Sequence, residues 1–187
     1  MAKQAIDLID LMKTAHKRKR EVSASEFHTK AKNLLSYAYV EYKNMYIDYC
    51  NSKGEEYKNR IFYIFQHIFA YLMMSDGEAT RAEHECYSLF CNYAKVEPLT
   101  IDDCRALYNR LETDEVIDDI KFLRDLRPHL KDADNYRAMV QGFCYFCLAS
   151  NKKLDEIQYL LLSFFFESNI DSCPSNWTMY KLKTLFI

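Results

Sequence analysis

Along this chain the apolar positions return every three or four residues, the repeat of a helix with one buried face, and not every second residue as in a strand. Residues 3–17 carry Ile6, Ile9 and Met12 beside Leu8 and Leu11, which predicts a short amphipathic helix ahead of the basic run HKRKR at 16–20. SASE at 23–26 has the form of a capping box. Phe27, Ala31, Leu34, Ala38, Tyr42, Met45 and Tyr49 then follow on one helical face, giving a long helix over 24–51 that stops near Gly54. Such a helix packs on the body or pairs with a partner. Further helices are predicted at about 56–75, 80–94, 100–112, 114–127, 133–150, 155–168 and 175–185. Thr80, Thr100, Thr113 and Asp155 stand where N-caps belong, and Pro98, Pro128 and Pro174 fall in connections, where a missing N–H does no harm.

The pattern repeats. A shift of 75 residues lays Gln66 on Gln141, Ser75 on Ser150 and Leu107 on Leu182. The connection DGEATRAE after Ser75 falls on NKKLDEIQ after Ser150. In each copy an apolar helix ends in Ser, turns through a short polar loop and restarts. The expected fold is therefore all-α: a compact helical bundle of two pseudo-repeated halves, about 58–111 and 133–186, within a domain at 55–187. Residues 1–54 form an N-terminal helical extension in this reading.

Composition agrees with that class. Three Gly and three Pro among 187 residues are too few for the frequent turns of a sandwich or barrel, while 12 Phe, 15 Tyr and one Trp supply a core. Residues 1–54 hold ten Lys/Arg against six Asp/Glu, whereas the remainder is acidic and brings the net charge to −2. The basic run could touch nucleic acid or an anionic surface, but the acidic remainder opposes broad nucleic-acid binding. The most apolar stretch, IFYIFQHIFAYLMM at 61–74, is interrupted by Gln66 and His67 and is shorter than a membrane span requires. With no secretory signal and seven irregularly spaced cysteines, the reading is a cytoplasmic protein with reduced thiols. CYFC at 144–147 lies inside an aromatic run and reads as core packing.

A helix ending in Ser-Asp-Gly with a Glu seven residues after the Asp, MSDGEATRAE at 74–83, echoed by ASNKKLDEIQ at 149–158, resembles the TerB-like tellurite-resistance domain. The same domain accompanies J-domains in membrane-anchored DnaJ-like co-chaperones. The resemblance covers about 56–187. It implies a compact bundle acting in stress- or tellurite-linked complexes, non-enzymatic, with acidic corner positions that bind a metal. Those positions are Asp76 and Glu83, with Glu78 beside them; the second copy holds the degenerate Asn151 and Gln158, and Lys152 replaces the glycine.

Two readings of the first corner follow from its residues. In one, Gly77 makes the turn and TRAE at 80–83 is a capping box joining Thr80 to Glu83, with Asp155 and Gln158 retaining that geometry in the second copy. In the other, Asp76, Glu78 and Glu83 hold one weakly bound Ca²⁺ or Mg²⁺, in a loop too short for an EF-hand. The cap accounts for both copies and the cation for at most one. No P-loop, GxGxxG, GxSxG or HExxH sequence is present, and the five histidines are scattered. The expected partners are proteins, with homodimerisation through 24–51 as the alternative to a metal-bearing module. Such a scaffold would need no metal.

Overall fold

The computed structural model describes residues 24–132, 134–150, 157–158 and 161–162. Its helices are α1 (Ala24–Lys53), α2 (Arg60–Met74), α3 (Arg81–Ala94), α4 (Ile101–Arg110), α5 (Thr113–Leu126) and α6 (Asp134–Ser150), with a 3₁₀ turn at Arg127–His129. Residues 157–158 and 161–162 are helical too, and no strand occurs among the described residues. The expected all-α bundle is what forms. The predicted short helix at 3–17, the basic run, Ser23 of the SASE box and the helix at 175–185 lie outside the described residues.

The organising element is α2. Twelve of its fifteen residues are buried, between Ile61 and Met74, because apolar side chains cover most of its circumference and leave one outer stripe of Arg60, Tyr63 and His67. Such a helix must be wrapped. The bundle packs α1 and α3 on part of its surface and α4 and α5 on another. Phe69 sits at the centre, with Tyr87 and Phe90 of α3 and Phe143 and Phe146 of α6 at ring-centroid distances of 5.1 to 5.4 Å. Edge-on and tilted aromatic pairs of this kind contribute about 0.5–1.5 kcal/mol each beyond the area they bury.

The two polar residues inside α2, Gln66 and His67, are accommodated individually. Gln66 is buried and donates from Nε2 to the Tyr87 hydroxyl at 2.9 Å. His67 is half-buried and meets Asp119 of α5, Nδ1 to Oδ2, at 2.8 Å. Tyr71 donates its hydroxyl to the Leu111 carbonyl at 2.8 Å, tying α2 to the α4–α5 connection. Each polar group thus binds a neighbouring helix, as burial demands.

Helix α1 belongs to the same core. Ala31, Leu35, Ala38, Tyr39 and Tyr42 are buried, and the Tyr39 ring lies edge-on to Phe62, Phe65 and Phe90. Tyr42 donates to the Leu123 carbonyl at 3.1 Å across the bundle. The boundary expected at 54/55 therefore falls within one continuous core. The buried stripe is also wider than the spacing predicts. Leu35 and Tyr39 are buried within it, Leu34 and Met45 are only partly covered, and Tyr49 is exposed.

The most extensive helix pair is α1 with α6. It is antiparallel: Leu35 and the Ala31 carbonyl abut Gly142, while Tyr37 donates to Asp132 and Glu41 accepts from the Lys131 amide. Close approach requires glycine here, since a Cβ on Gly142 would lie 2.7 Å from Leu35 Cγ and 3.3 Å from the Ala31 carbonyl oxygen.

Two element boundaries differ from the sequence reading. Helix α2 begins at Arg60, not near 56, because Asn59 is held outside it, accepting from the hydroxyls of Tyr39 (3.2 Å) and Tyr57 (2.9 Å). Thr113 is the first residue of α5, and Glu112 is its N-cap. There the N3 residue Glu115 bonds back to the Glu112 amide at 3.0 Å, so the cap needs no hydroxyl at 113.

The α1–α6 contact yields a double-mutant test. Gly142→Ala gains about 1 kcal/mol of helix propensity but meets an overpacking cost of about 1–3 kcal/mol, for an expected net loss of about 1 kcal/mol. In a Leu35→Ala background the clash is removed, and the same substitution should become stabilising. Urea denaturation of the four proteins measures this; an equal loss in both backgrounds would show that the close contact is not real.

Candidate functional site: the paired helical corners

The first corner is built as the capping reading expects. Helix α2 ends at Met74; Gly77 takes φ +93°, a conformation that favours glycine, and its amide donates to the Met74 carbonyl at 2.9 Å. Asp76 is exposed, and its Oδ1 accepts from the Glu78 amide at 3.2 Å, closing a local turn. Thr80 is the N-cap of α3. Its Oγ1 accepts from the Glu83 amide at 3.2 Å, and Glu83 Oε2 accepts from both the Thr80 amide and the Thr80 hydroxyl at 2.7 Å. Glu83 is wholly buried. The predicted ligands thus occupy different environments: Asp76 and Glu78 face solvent, while Glu83 is buried and bonded to the start of α3. Among the described residues no group of three or more His, Cys, Asp or Glu side chains is disposed to hold a metal ion. This donor set does not fit the three-carboxylate cation site. His84 binds the Leu99 carbonyl, Nε2 to O, at 2.7 Å.

Of the second corner, Asn151 and Asp155 lie outside the described residues, whereas Gln158 is described. It is wholly buried, like its counterpart Glu83. The residues one turn further on match as well: Cys86 and Tyr87 in the first copy and Leu161 and Leu162 in the second are all buried. The preceding helices agree too. Ile61, Ile64, Phe65, Ile68, Tyr71 and Leu72 of α2 are buried, as are Tyr136, Met139, Val140, Phe143, Phe146 and Cys147 of α6.

Gln158 also explains why the second copy lost its charge. Its Nε2 donates to the Leu72 carbonyl at 3.1 Å, within the last turn of α2. That carbonyl also accepts from Ser75 Oγ at 3.0 Å. A helix C-terminus presents carbonyls without intrahelical donors, so the group meeting it must donate. A glutamate would set an anionic acceptor against a carbonyl inside the core. At the first corner the demand is opposite: the Thr80 amide needs an acceptor, which Glu83 supplies. The acid and the amide at equivalent positions therefore follow from the polarity of the helix ends they serve.

Thr100 is the N-cap of α4, as its position in the sequence predicts. Sequence reasoning missed two features. Asp103 completes a capping box with Thr100, its Oδ2 accepting from the Thr100 hydroxyl at 2.7 Å and its amide donating to Thr100 Oγ1 at 3.1 Å. The signal was present as Thr-x-x-Asp, with Asp in the place usually held by Glu. The His67–Asp119 pair spans 52 positions and has no local signature.

Burial pushes the thiols of Cys86 and Cys91 up to about 12 and that of Cys104 up to about 11, with nearby Glu83 and Asp103 adding to the effect at Cys86 and Cys104 respectively. These three thiols stay protonated at neutral pH and are poor nucleophiles. Compared with protein-family models, curated proteins and solved structures, the chain matches none.

The polarity argument predicts an asymmetry between two isosteric exchanges. Gln158→Glu buries an unpaired carboxylate against a carbonyl and should cost about 3–5 kcal/mol at pH 7, easing as the solution is acidified. Glu83→Gln keeps a carbonyl oxygen for the Thr80 amide and should cost about 1 kcal/mol, comparable with loss of one cap. Denaturant midpoints for both variants measure it, and equal losses would contradict the assignment.

Proposed function

We propose that the chain is a non-enzymatic helical binding or scaffold module of the TerB-like kind, working through protein partners in a stress- or tellurite-linked setting. The observation that carries this reading is the pair of corners: Glu83 and Gln158, 75 residues apart, are both wholly buried, and each bonds to a helix end. The resemblance rests on a doubled corner, and this equivalence supports it. An interaction role is further supported by large side chains left open on the body, among them Tyr37, Tyr49, Tyr63, Leu89 and Tyr93. Tyrosine is enriched in protein interfaces because it offers a broad apolar face together with a polar tip.

The cap at Glu83 favours the metal-free form of the reading over one with a weak Ca²⁺ or Mg²⁺ at Asp76, Glu78 and Glu83. A cation drawing on Glu83 Oε2 would have to compete with two hydrogen bonds of 2.7 Å from the start of α3. The alternative in which 24–51 forms a dimer is narrowed by the burial of Ala31, Leu35, Ala38, Tyr39 and Tyr42 within the chain. Recruitment through α1 would fall to its outer side chains, such as Tyr37 and Val40.

A thermal melt in the presence of Ca²⁺, Mg²⁺ or Mn²⁺ separates the forms. The metal-free module keeps its Tm up to about millimolar cation, the range of weak extracellular-type sites. The double variant Asp76→Asn/Glu83→Gln should melt lower than wild type, equally with and without cation. A cation-dependent rise in wild type that the double variant lacks would instead establish the metal-bearing form.

A further inference from the structure

Arg81, Glu85, Leu89 and Tyr93 follow one another at intervals of four on α3, and all four are exposed. Rows at this spacing form the ridges by which helices most often pack, each ridge lying along a groove of the other helix. Two members of the row are large and apolar: Leu89 and Tyr93 are each 48% exposed, on the outside of a helix whose inner face is core. The charges beside them change sign along the row. Before Leu89 stands Glu85, whose exposed pair with Arg81 at 2.9 Å is a contact of small worth. Beyond Leu89 stands Lys32 of α1, its Nζ 5.9 Å from the centre of the Tyr93 ring. One turn before Lys32, the His28 carbonyl accepts from the Cys86 thiol at 3.6 Å, which fixes α1 beside α3.

A surface that pairs with itself about a two-fold axis needs this order, because whatever residue i meets on the other copy must in turn meet residue i. An axis through Leu89 lays Leu89 on Leu89. It brings Glu85, four residues before the axis, to Tyr93, four residues after it, where the Lys32 ammonium stands. An axis through Glu85 would set two carboxylates together, and one through Tyr93 would set two Lys32 ammonium groups together. The charges therefore select Leu89 as the centre.

We propose that this ridge is a homodimer contact: two copies of the chain pack α3 on α3, antiparallel, with Glu85 of each copy facing Lys32 of the other across an apolar centre of Leu89 and Tyr93. The contact lies away from the outer side chains of α1 and does not depend on the TerB-like reading. From Arg81 to Tyr93 the ridge runs about 18 Å, which is small beside a standard protein interface. The dimer is accordingly weak, with a Kd on the order of 10–100 µM, and it forms at high local concentration.

Sedimentation velocity of the full-length chain, from about 1 µM to about 0.5 mM at low salt, tests it. Glu85→Lys and Lys32→Glu each create two like-charge contacts per dimer and should raise the Kd by about tenfold, with an unchanged far-ultraviolet circular dichroism spectrum. An equimolar mixture of those two variants decides. In their heterodimer both contacts join opposite charges again, so the affinity should return to near the wild-type value. A substitution acting only within its own chain could not be rescued by mixing. A wild-type chain that stays monomeric at about 0.5 mM would overturn the proposal. So would a dimer whose Kd the single reversals leave unchanged or whose affinity the mixture fails to restore.

Discussion

A helix with twelve of its fifteen residues buried has to be enclosed on most of its circumference, and in this protein that requirement falls on Arg60–Met74. Little else in the fold is free once it is met. The helix cannot rest on a single partner, because Phe62, Phe65 and Phe69 face α1, α3 and α6 while Tyr71 faces the α4–α5 connection. Enclosure also explains why the chain needs Ala24–Lys53. Without α1, the rings of Phe62 and Phe65 would lose Tyr39, and α6 would lose the surface against which Gly142 fits. Each large side chain covered in this way contributes about 1.5–3 kcal/mol, so a helix of α1's length supplies a large share of a marginal total.

Within that enclosure the helix ends become the difficult places. Ends packed in a bundle leave amides at one terminus and carbonyls at the other that need hydrogen-bond partners. The two corners answer this with side chains of opposite character: a carboxylate where amides are exposed and a carboxamide where a carbonyl is exposed. The second contact also crosses between the halves, since Gln158 completes the end of a helix belonging to the first copy. The repeat is therefore an interlocked structure and not two units side by side. It also means that an acidic residue at a corner is not in itself evidence of a ligand; its hydrogen-bond partners decide.

Much of the fold was legible in the sequence because its signals are local. Helical spacing, the Thr80–Glu83 box, the turn at Gly77 and the 75-residue shift each depend on residues near one another or on simple self-comparison. What escaped was non-local. Nothing in the spacing of α1 says whether its apolar face meets its own chain or another; that depended on a glycine 107 positions beyond Leu35. The start of α2 was misplaced because Asn59 is claimed by Tyr39, twenty residues earlier in the chain. The candidate site was half legible: the residues at the corner were identifiable, but the partner of Gln158, the Leu72 carbonyl, lies 86 positions away and has no local signal.

The central claim is that α1 and α2 belong to one cooperative core, and native-state hydrogen exchange tests it most directly. The amides of Ala31–Tyr42 should exchange as slowly as those of Phe62–Leu72, with both segments opening only in global unfolding, as expected for residues in a single folding unit. Amides of Ala31–Tyr42 that exchange through a separate, much cheaper opening, while Phe62–Leu72 remain protected, would contradict it. Helix α1 would then be an appendage on a body able to stand without it.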